Sequence, residues 1–410
     1  LRATVGKMSP PETFTNWSGS IESQPSDLLY PRTESELVQI ISRAGEAHAH
    51  VRPVGSGHSS TPLAATDEIM VSLDRMSGVV STDSERGLAT VRPGTGLSAL
   101  GSELAEAGLA IENYGDVDYQ TIAGSISTGT HGSGKRLGNL SSFLVGGTFV
   151  DGTGQSVPFG VETNRGEDDE LLRAVQVSLG ALGILSTLTL RVRPAFDLHR
   201  LNWMTHIDWV MDNFEELIEQ NRSLDFYWYP RSDLAQVRMV NIPGDEPELL
   251  PPGELRTDEM GPSYEILPND RHLHFEEMEY MLPLEAGMTA FQQVRKRIKE
   301  KHRSYVGWRV LVRTIAPDRA MLSNAHSRPT MTIALLQNVG LPYRPYFDDM
   351  EPILQSFDGR PHWGKKHTMV AEQLQPHYPE WQAFQRLRAR HDPHGLFLND
   401  YLRELLGTGG

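Results

Sequence analysis

Between residues 27 and 194, short β-branched runs alternate with stretches of helical spacing, the pattern of an α/β region. Thr33 with Glu36 three residues later forms a capping box, and Leu37, Ile40, Ile41 and Ala44 then recur on one face, which predicts a helix over 34–47. Strands follow at 51–54, 69–73, 88–92, 144–150 and 184–192. A helix over 97–107 is closed by Gly108, where the lack of a Cβ suits a left-handed turn. Asp151-Gly152-Thr153-Gly154 reads as a turn joining two strands.

Beyond Pro194 the pattern changes. Strands at 225–229, 276–281, 309–314 and 330–336, helices at 209–220 and 290–302, and proline-rich loops at 243–252 and 262–268 lack regular crossovers, which predicts a second α+β domain with an antiparallel sheet. The tail, 379–406, is helical on either side of a loop at 391–395.

At 410 residues the chain has room for two or three domains. Its 38 Lys+Arg against 53 Asp+Glu give a formal charge of −15, which repels nucleic acid and anionic membrane surfaces. The absence of cysteine excludes disulfides, zinc–thiolate sites and thiol nucleophiles, so redox chemistry has to come from a cofactor. The longest apolar stretches, such as 181–190, are too short to span a bilayer, and no signal peptide is visible at the start; a cytoplasmic address is expected. Asn16-Trp17-Ser18 matches a glycosylation sequon and is read as a chance occurrence.

Three segments could carry chemistry. Gly55-Ser56-Gly57-His58-Ser59 follows a strand, and its small residues let backbone N–H groups converge on a pyrophosphate; taken alone the signal is weak and reads first as a tight turn with a stray histidine. It lacks the third glycine of the dinucleotide fingerprint, and Gly94-Thr95-Gly96 reads as a strand-to-helix turn. The uncharged, hydroxyl- and glycine-dense strip 123–134 can wrap a cofactor through main-chain donors. In the second domain, 360–367 gathers two lysines and two histidines beside Trp363, either a solvated basic loop or part of a site.

These segments occur in order with Asn16-Trp17-Ser18-Gly19, 178–184, Glu279-Tyr280, Val312-Arg313-Thr314, 360–365 and Asp392-Pro393-His394-Gly395-Leu396-Phe397 with Asn399. Together they resemble the FAD-dependent aldonolactone and alditol oxidases of the vanillyl-alcohol-oxidase superfamily. The resemblance implies an α+β, two-domain flavoprotein: an FAD-binding α/β domain at 1–195, a cap domain with an antiparallel sheet at 196–366, and a return of 367–410 to the FAD-binding domain. It implies FAD bonded covalently through His58, with Val54, Gly55, Ser56, Gly57, Ser59, Gly115, Asp116, Ile122, Ser125, Thr128, Gly129, His131, Gly132, Ile184 and Lys365 around it, and no metal.

Lys365 matches a lysine near the flavin N1–C2=O edge, where a cation stabilises the anionic reduced ring. Arg313 matches an arginine that faces substrate hydroxyls. Asp116 is the expected general base, with Tyr119 and His362 as weaker candidates. Gly115 matches a gatekeeper position at which a small residue admits O2. The implied reaction is hydride transfer from a carbinol of an L-gulono- or D-arabinono-1,4-lactone-like substrate, with O2 reduced to hydrogen peroxide. Alternatives are an alditol or another hydroxylated metabolite, a dehydrogenase using another acceptor, or a non-catalytic flavin-storing protein. Two positions depart from the family pattern: Leu311 replaces a glutamate and Ala334 a histidine, leaving an apolar wall and an altered substrate half.

Overall fold

The computed structural model describes residues 13–269 and 273–407. The expectations for the chain start fall outside the described residues. No helix among the described residues is long and apolar enough to cross a membrane. Architecturally the chain is α+β as expected, with several small sheets in the N-terminal region and one large antiparallel sheet after it.

In the N-terminal region a parallel sheet of three strands places Ile69–Ser72 between Asp27–Leu29 and Val51–Val54. The helix Glu34–Ala47 makes the crossover; Thr33 accepts a hydrogen bond from the Glu36 amide, and Leu37, Ile41 and Ala44 are buried on the predicted face. The other strands of this region are antiparallel, which corrects the regular α/β alternation read from the sequence. They run in the order Ser156–Gly160, Leu144–Asp151, Gly183–Arg191, Leu88–Val91, Val79–Asp83. Tight turns explain this: the Asp151 carboxylate accepts the Thr153 and Gln155 amides, folding the chain straight back on itself.

The second region is one antiparallel sheet of eight strands, in the order Glu254–Pro262, Asp197–His206, Leu234–Asn241, Ser223–Tyr229, Val310–Ile315, Thr330–Asn338, Phe275–Pro283, Arg360–Pro361. The helices Leu284–Arg297 and Arg344–Ser356 contribute apolar residues to the core, among them Phe291 and Phe347. Leu311 pairs with Ala334, and Ala334 with Glu279, so one face carries Phe275, Glu277, Glu279, Leu311, Arg313 and Ala334 toward the first region. Asn213 splits the predicted 209–220 helix in two, and 262–268 holds the end of a strand and a short helix rather than only a loop.

The tail returns to the N-terminal region. The Val51 amide donates to the Leu396 carbonyl at 2.9 Å, and buried Arg52 donates to the carbonyls of Leu63, Leu179, Gly180 and Phe397. Asn399 caps the last helix and also donates to the Pro62 and Ala65 carbonyls. Asn16 is buried, its side-chain amide donating to Ser18 Oγ and the Ser59 carbonyl, so the nitrogen of the sequon is engaged within the fold.

Candidate active site

Two cavities meet at His58. The larger, about 950 Å3, runs along the N-terminal sheet and is lined by Val54, Gly55, Ser56, Gly57, His58, Ser59, Gly124, Thr128 and Ile184. Its wall is drawn close by a glycine: a Cβ on Gly55 would lie 2.3 Å from Thr121 Oγ1. Thr121 in turn caps the short helix Ile122–Ser127. The Trp17 amide donates to the Gly57 carbonyl and Asn16 to that of Ser59, fixing the turn on which His58 stands.

His58 opens to both cavities, with the Trp17 ring centroid 4.7 Å from its own. Its Nδ1 is buried with no hydrogen-bond partner. Burial, then the charge of Lys365, lower its pKa to about 4, so the ring is neutral at pH 7 with a lone pair available.

The second cavity encloses about 740 Å3, part of it open to solvent, and is lined on one side by Asp116, Thr130 and His131 and on the other by Glu277, Leu311, Arg313, His362 and Lys365. Glu279 is fully buried and organises the cations. It accepts Arg313 Nη2 at 2.6 Å, pairs closely with Lys365, and lies 3.3 Å from His131 Nε2. Burial opposes its ionisation, but Arg313 and Lys365 overcome this and hold its carboxyl well below the ordinary range. Burial has the upper hand at Glu277, raising its pKa although Lys365 Nζ lies 2.8 Å from Oε1.

His131 and His362 are buried and kept neutral by desolvation and by the neighbouring cations. The His131 ring donates from Nδ1 to the Gly132 carbonyl, which leaves Nε2 to accept from Arg313 at 3.3 Å. His131, Glu279 and His362 bring possible ligand atoms within 4.8 Å of one another. Arg313 and Lys365 already neutralise Glu279, and two fixed cations oppose a metal ion there.

Most of the sequence-predicted residues converge on these cavities, and the exceptions have physical reasons. Ile122 packs into the core, the Ser125 hydroxyl donates to the Thr121 carbonyl at 2.9 Å, and Gly129, at φ +72°, ends the short helix facing Asn324; their side-chain positions are set back from the cofactor cavity. Gly115 and Gly132 line a smaller polar cavity of about 360 Å3 behind Arg313, together with Asp116. Asp116 does border the substrate-side cavity, but its Oδ1 accepts from Tyr227 Oη, Arg238 Nη2 and Asn269 Nδ2 at 2.9–3.0 Å. A carboxylate oxygen so engaged is a weak base, which counts against the expected role.

Sequence reading missed Glu277, Thr121 and Arg52. Glu277 and Glu279 stand two apart on a strand, and that spacing was the available signal. Leu311 and Ala334 form an apolar wall with Tyr227, Phe275 and Leu336, as their identities imply.

Residues 188–255 and 248–405 match the family described as D-arabinono-1,4-lactone oxidase, and residues 25–160 match the FAD binding domain. The chain is 35% identical to an L-gulono-1,4-lactone dehydrogenase of Mycobacterium tuberculosis, over 98% of this chain and all of the relative. It belongs to the aldonolactone oxidase family. An L-gulonolactone oxidase of Mus musculus is 25% identical over 96% of this chain and 98% of that protein, and an alditol oxidase of Streptomyces 29% over 96% and 98%. Cholesterol oxidase from B. sterolicum shares the fold at a TM-score of 0.83 and 16% identity, with 97% of each chain covered. As a member of this family the chain is an FAD-dependent oxidoreductase acting on CH–OH donors.

The cavity suits the cofactor. It offers a neutral imidazole nitrogen without a partner, a turn of small residues, and a wall held close by Gly55.

Proposed function

We propose that this protein oxidises a carbinol of a small polyhydroxylated lactone of the L-gulono- or D-arabinono-1,4-lactone class, with FAD attached through His58 and O2 as the terminal acceptor. The observation that carries the reading is the position of His58: a neutral ring with an orphaned Nδ1, at the junction of a glycine-walled cavity and one lined by Arg313 and Lys365.

Bound FAD would supply the acceptor for the hydride that leaves the carbinol carbon, and the hydroxyl proton lost with it would pass to the solvent to which the cavity opens. The residues of the chain prepare the two partners. Gly55, Ser56, Gly57 and Ser59 hold the phosphate-bearing end, and His58 Nδ1 is the atom that bonds the cofactor. Lys365, kept in place by Glu277 and Glu279, puts a positive charge where negative charge develops. Arg313, held by Glu279 and by the His131 carbonyl, donates to substrate oxygen. Asp116 fixes the opposite wall through Tyr227, Arg238 and Asn269, while Leu311 and Leu336 exclude water from one face of the substrate.

An anaerobic titration of the purified protein tests this reading. Addition of L-gulono-1,4-lactone should bleach the flavin, air should restore the colour with release of hydrogen peroxide, and acid precipitation should leave the colour on the peptide containing His58. Persistent absorbance with every lactone and alditol tried would overturn the substrate assignment. Colour freed into the supernatant would overturn the covalent bond, and reduced flavin surviving many minutes in air would transfer the chain to the dehydrogenases. Gly115→Leu addresses the oxygen path: a Cβ there meets Thr130 Cγ2 at 3.0 Å, and a larger side chain should slow reoxidation while sparing anaerobic reduction.

A further inference from the structure

The substrate-side cavity is rich in charged donors and short of available carboxylates, its other acceptors being hydroxyls and the Gln120 amide. Arg313 and Lys365 both donate into it. Glu279 is committed to those two cations, Asp116 Oδ1 already accepts three hydrogen bonds, and Leu311, Ala334, Leu336 and Phe275 carry no acceptor. Glu277 is different. Its neighbours alternate faces along the strand Phe275–Pro283, so it stands on the cavity side one step nearer Phe275 than Glu279, paired across the sheet with Leu336. Among the described residues Lys365 is its one ion-pair partner.

We propose that Glu277 is the carboxylate that accepts the substrate's hydroxyl hydrogen bonds, and so selects a polyhydroxylated ring over a deoxygenated one. This deepens the lactone assignment above and rests on it. A sugar-derived ring has a rim of hydroxyls and a face of C–H groups. The cavity offers the complement: Glu277 and Lys365 for the rim, Leu311, Leu336 and Phe275 for the face. Hydrogen bonds to an ionised carboxylate are the stronger kind, and a carboxylate oxygen left facing a missing hydroxyl penalises the wrong ligand.

A pH dependence follows, because only the ionised carboxylate accepts at both oxygens. The charged and titratable groups around Glu277 are Glu279 on its own strand, Arg313 on the same sheet face, His362 and Lys365 on the segment that follows Arg360–Pro361, and Asp116, His58 and His131 across the cavity. Burial raises the Glu277 pKa above its ordinary value, so lactone affinity should be full at higher pH and fall as pH drops through that raised value.

The test is rapid anaerobic mixing of holoenzyme with L-gulono-1,4-lactone, which separates the dissociation constant from the bleaching rate, repeated with an analogue lacking one ring hydroxyl. Glu277→Gln should weaken the full lactone by about 10-fold or more, leave the deoxy analogue nearly unchanged, and flatten the acid limb of binding. Equal weakening of both ligands would mean that Glu277 only positions Lys365, and would overturn the proposal. Unchanged binding of both would overturn it too. If the glutamine variant loses flavin, Glu277→Asp keeps the charge beside Lys365 but shortens the reach, and should still raise the dissociation constant of the full lactone selectively; no selective rise overturns the proposal. Wild-type protein that binds no lactone or alditol would sink the functional assignment as well, whereas normal wild-type binding with an indifferent variant sinks this inference alone.

Discussion

The two cavities that meet at His58 are built from different materials. The cofactor side is mostly backbone: glycines, hydroxyls and a turn, with one buried cation, Arg52, in its wall. The substrate side is a sheet face whose side chains carry the charge, with Glu279 clamping Arg313 and Lys365. Backbone walls fail sterically, when a Cβ is added. Charged walls fail electrostatically, when one member of the cluster is removed. The contrast predicts that substitutions on the two sides produce different kinds of damage.

The largest effect is expected at Glu279. Glu279→Gln leaves buried Arg313 without its carboxylate and part-buried Lys365 with Glu277 alone, and should lower stability by about 3–5 kcal/mol, measured as a shift of the urea midpoint at constant slope. A loss near zero would mean that solvent, not Glu279, compensates Arg313 and Lys365, and the contrast between the sides would weaken. Next comes Lys365→Met, which should slow anaerobic flavin reduction by roughly 10²–10³-fold with flavin content intact. If flavin is lost instead, Lys365 belongs to cofactor retention and the division at His58 is drawn in the wrong place.

On the cofactor side, Gly55→Ala places a Cβ 2.3 Å from Thr121 Oγ1 and should cost about 1–3 kcal/mol, read as a lower fraction of chains carrying flavin. Adding Thr121→Ala removes the clashing oxygen and should recover part of that fraction, net of the lost helix cap; no recovery would assign the defect to something other than the close approach. The smallest effect is in pH. Since His58 is depressed to about 4, its reactive neutral form persists well below the usual histidine range. Apoprotein mixed with FAD should form the covalent adduct equally from pH 8 to about 5 and less toward 4. A decline beginning near 6.5 would show that the ring is more solvated than its surroundings indicate.

The same contrast explains what could be read from the sequence. Val54 through Ser59 are contiguous, so their geometry is local and visible in a short motif. Likewise the helix Glu34–Ala47 shows its cap and its period within fourteen residues. The substrate wall is assembled from strands far apart in the chain: Glu277, Leu311 and Ala334 become neighbours only through sheet register, which no single segment reveals. The strand Glu254–Pro262 was missed because it is an edge strand with most of its residues exposed and no apolar alternation to betray it. The helix Arg344–Ser356 was hidden by Pro345 near its start and Pro352 inside it, residues that usually argue against helix.

Arg52 carries a consequence for the order of events in synthesis. Its guanidinium closes the wall of the cofactor cavity, and one of its acceptors, the Phe397 carbonyl at 2.6 Å, lies 345 residues downstream. Burial lowers its pKa to about 9, with Asp392 opposing the fall, so it remains charged and cannot shed the need for those carbonyls by losing a proton. A nascent chain therefore holds all the residues of its glycine turn, and even His58, long before the wall behind them can close. Flavin capture should therefore wait until residues 392–397 have left the ribosome, and a chain ended before residue 392 should emerge colourless, however complete its cofactor motif.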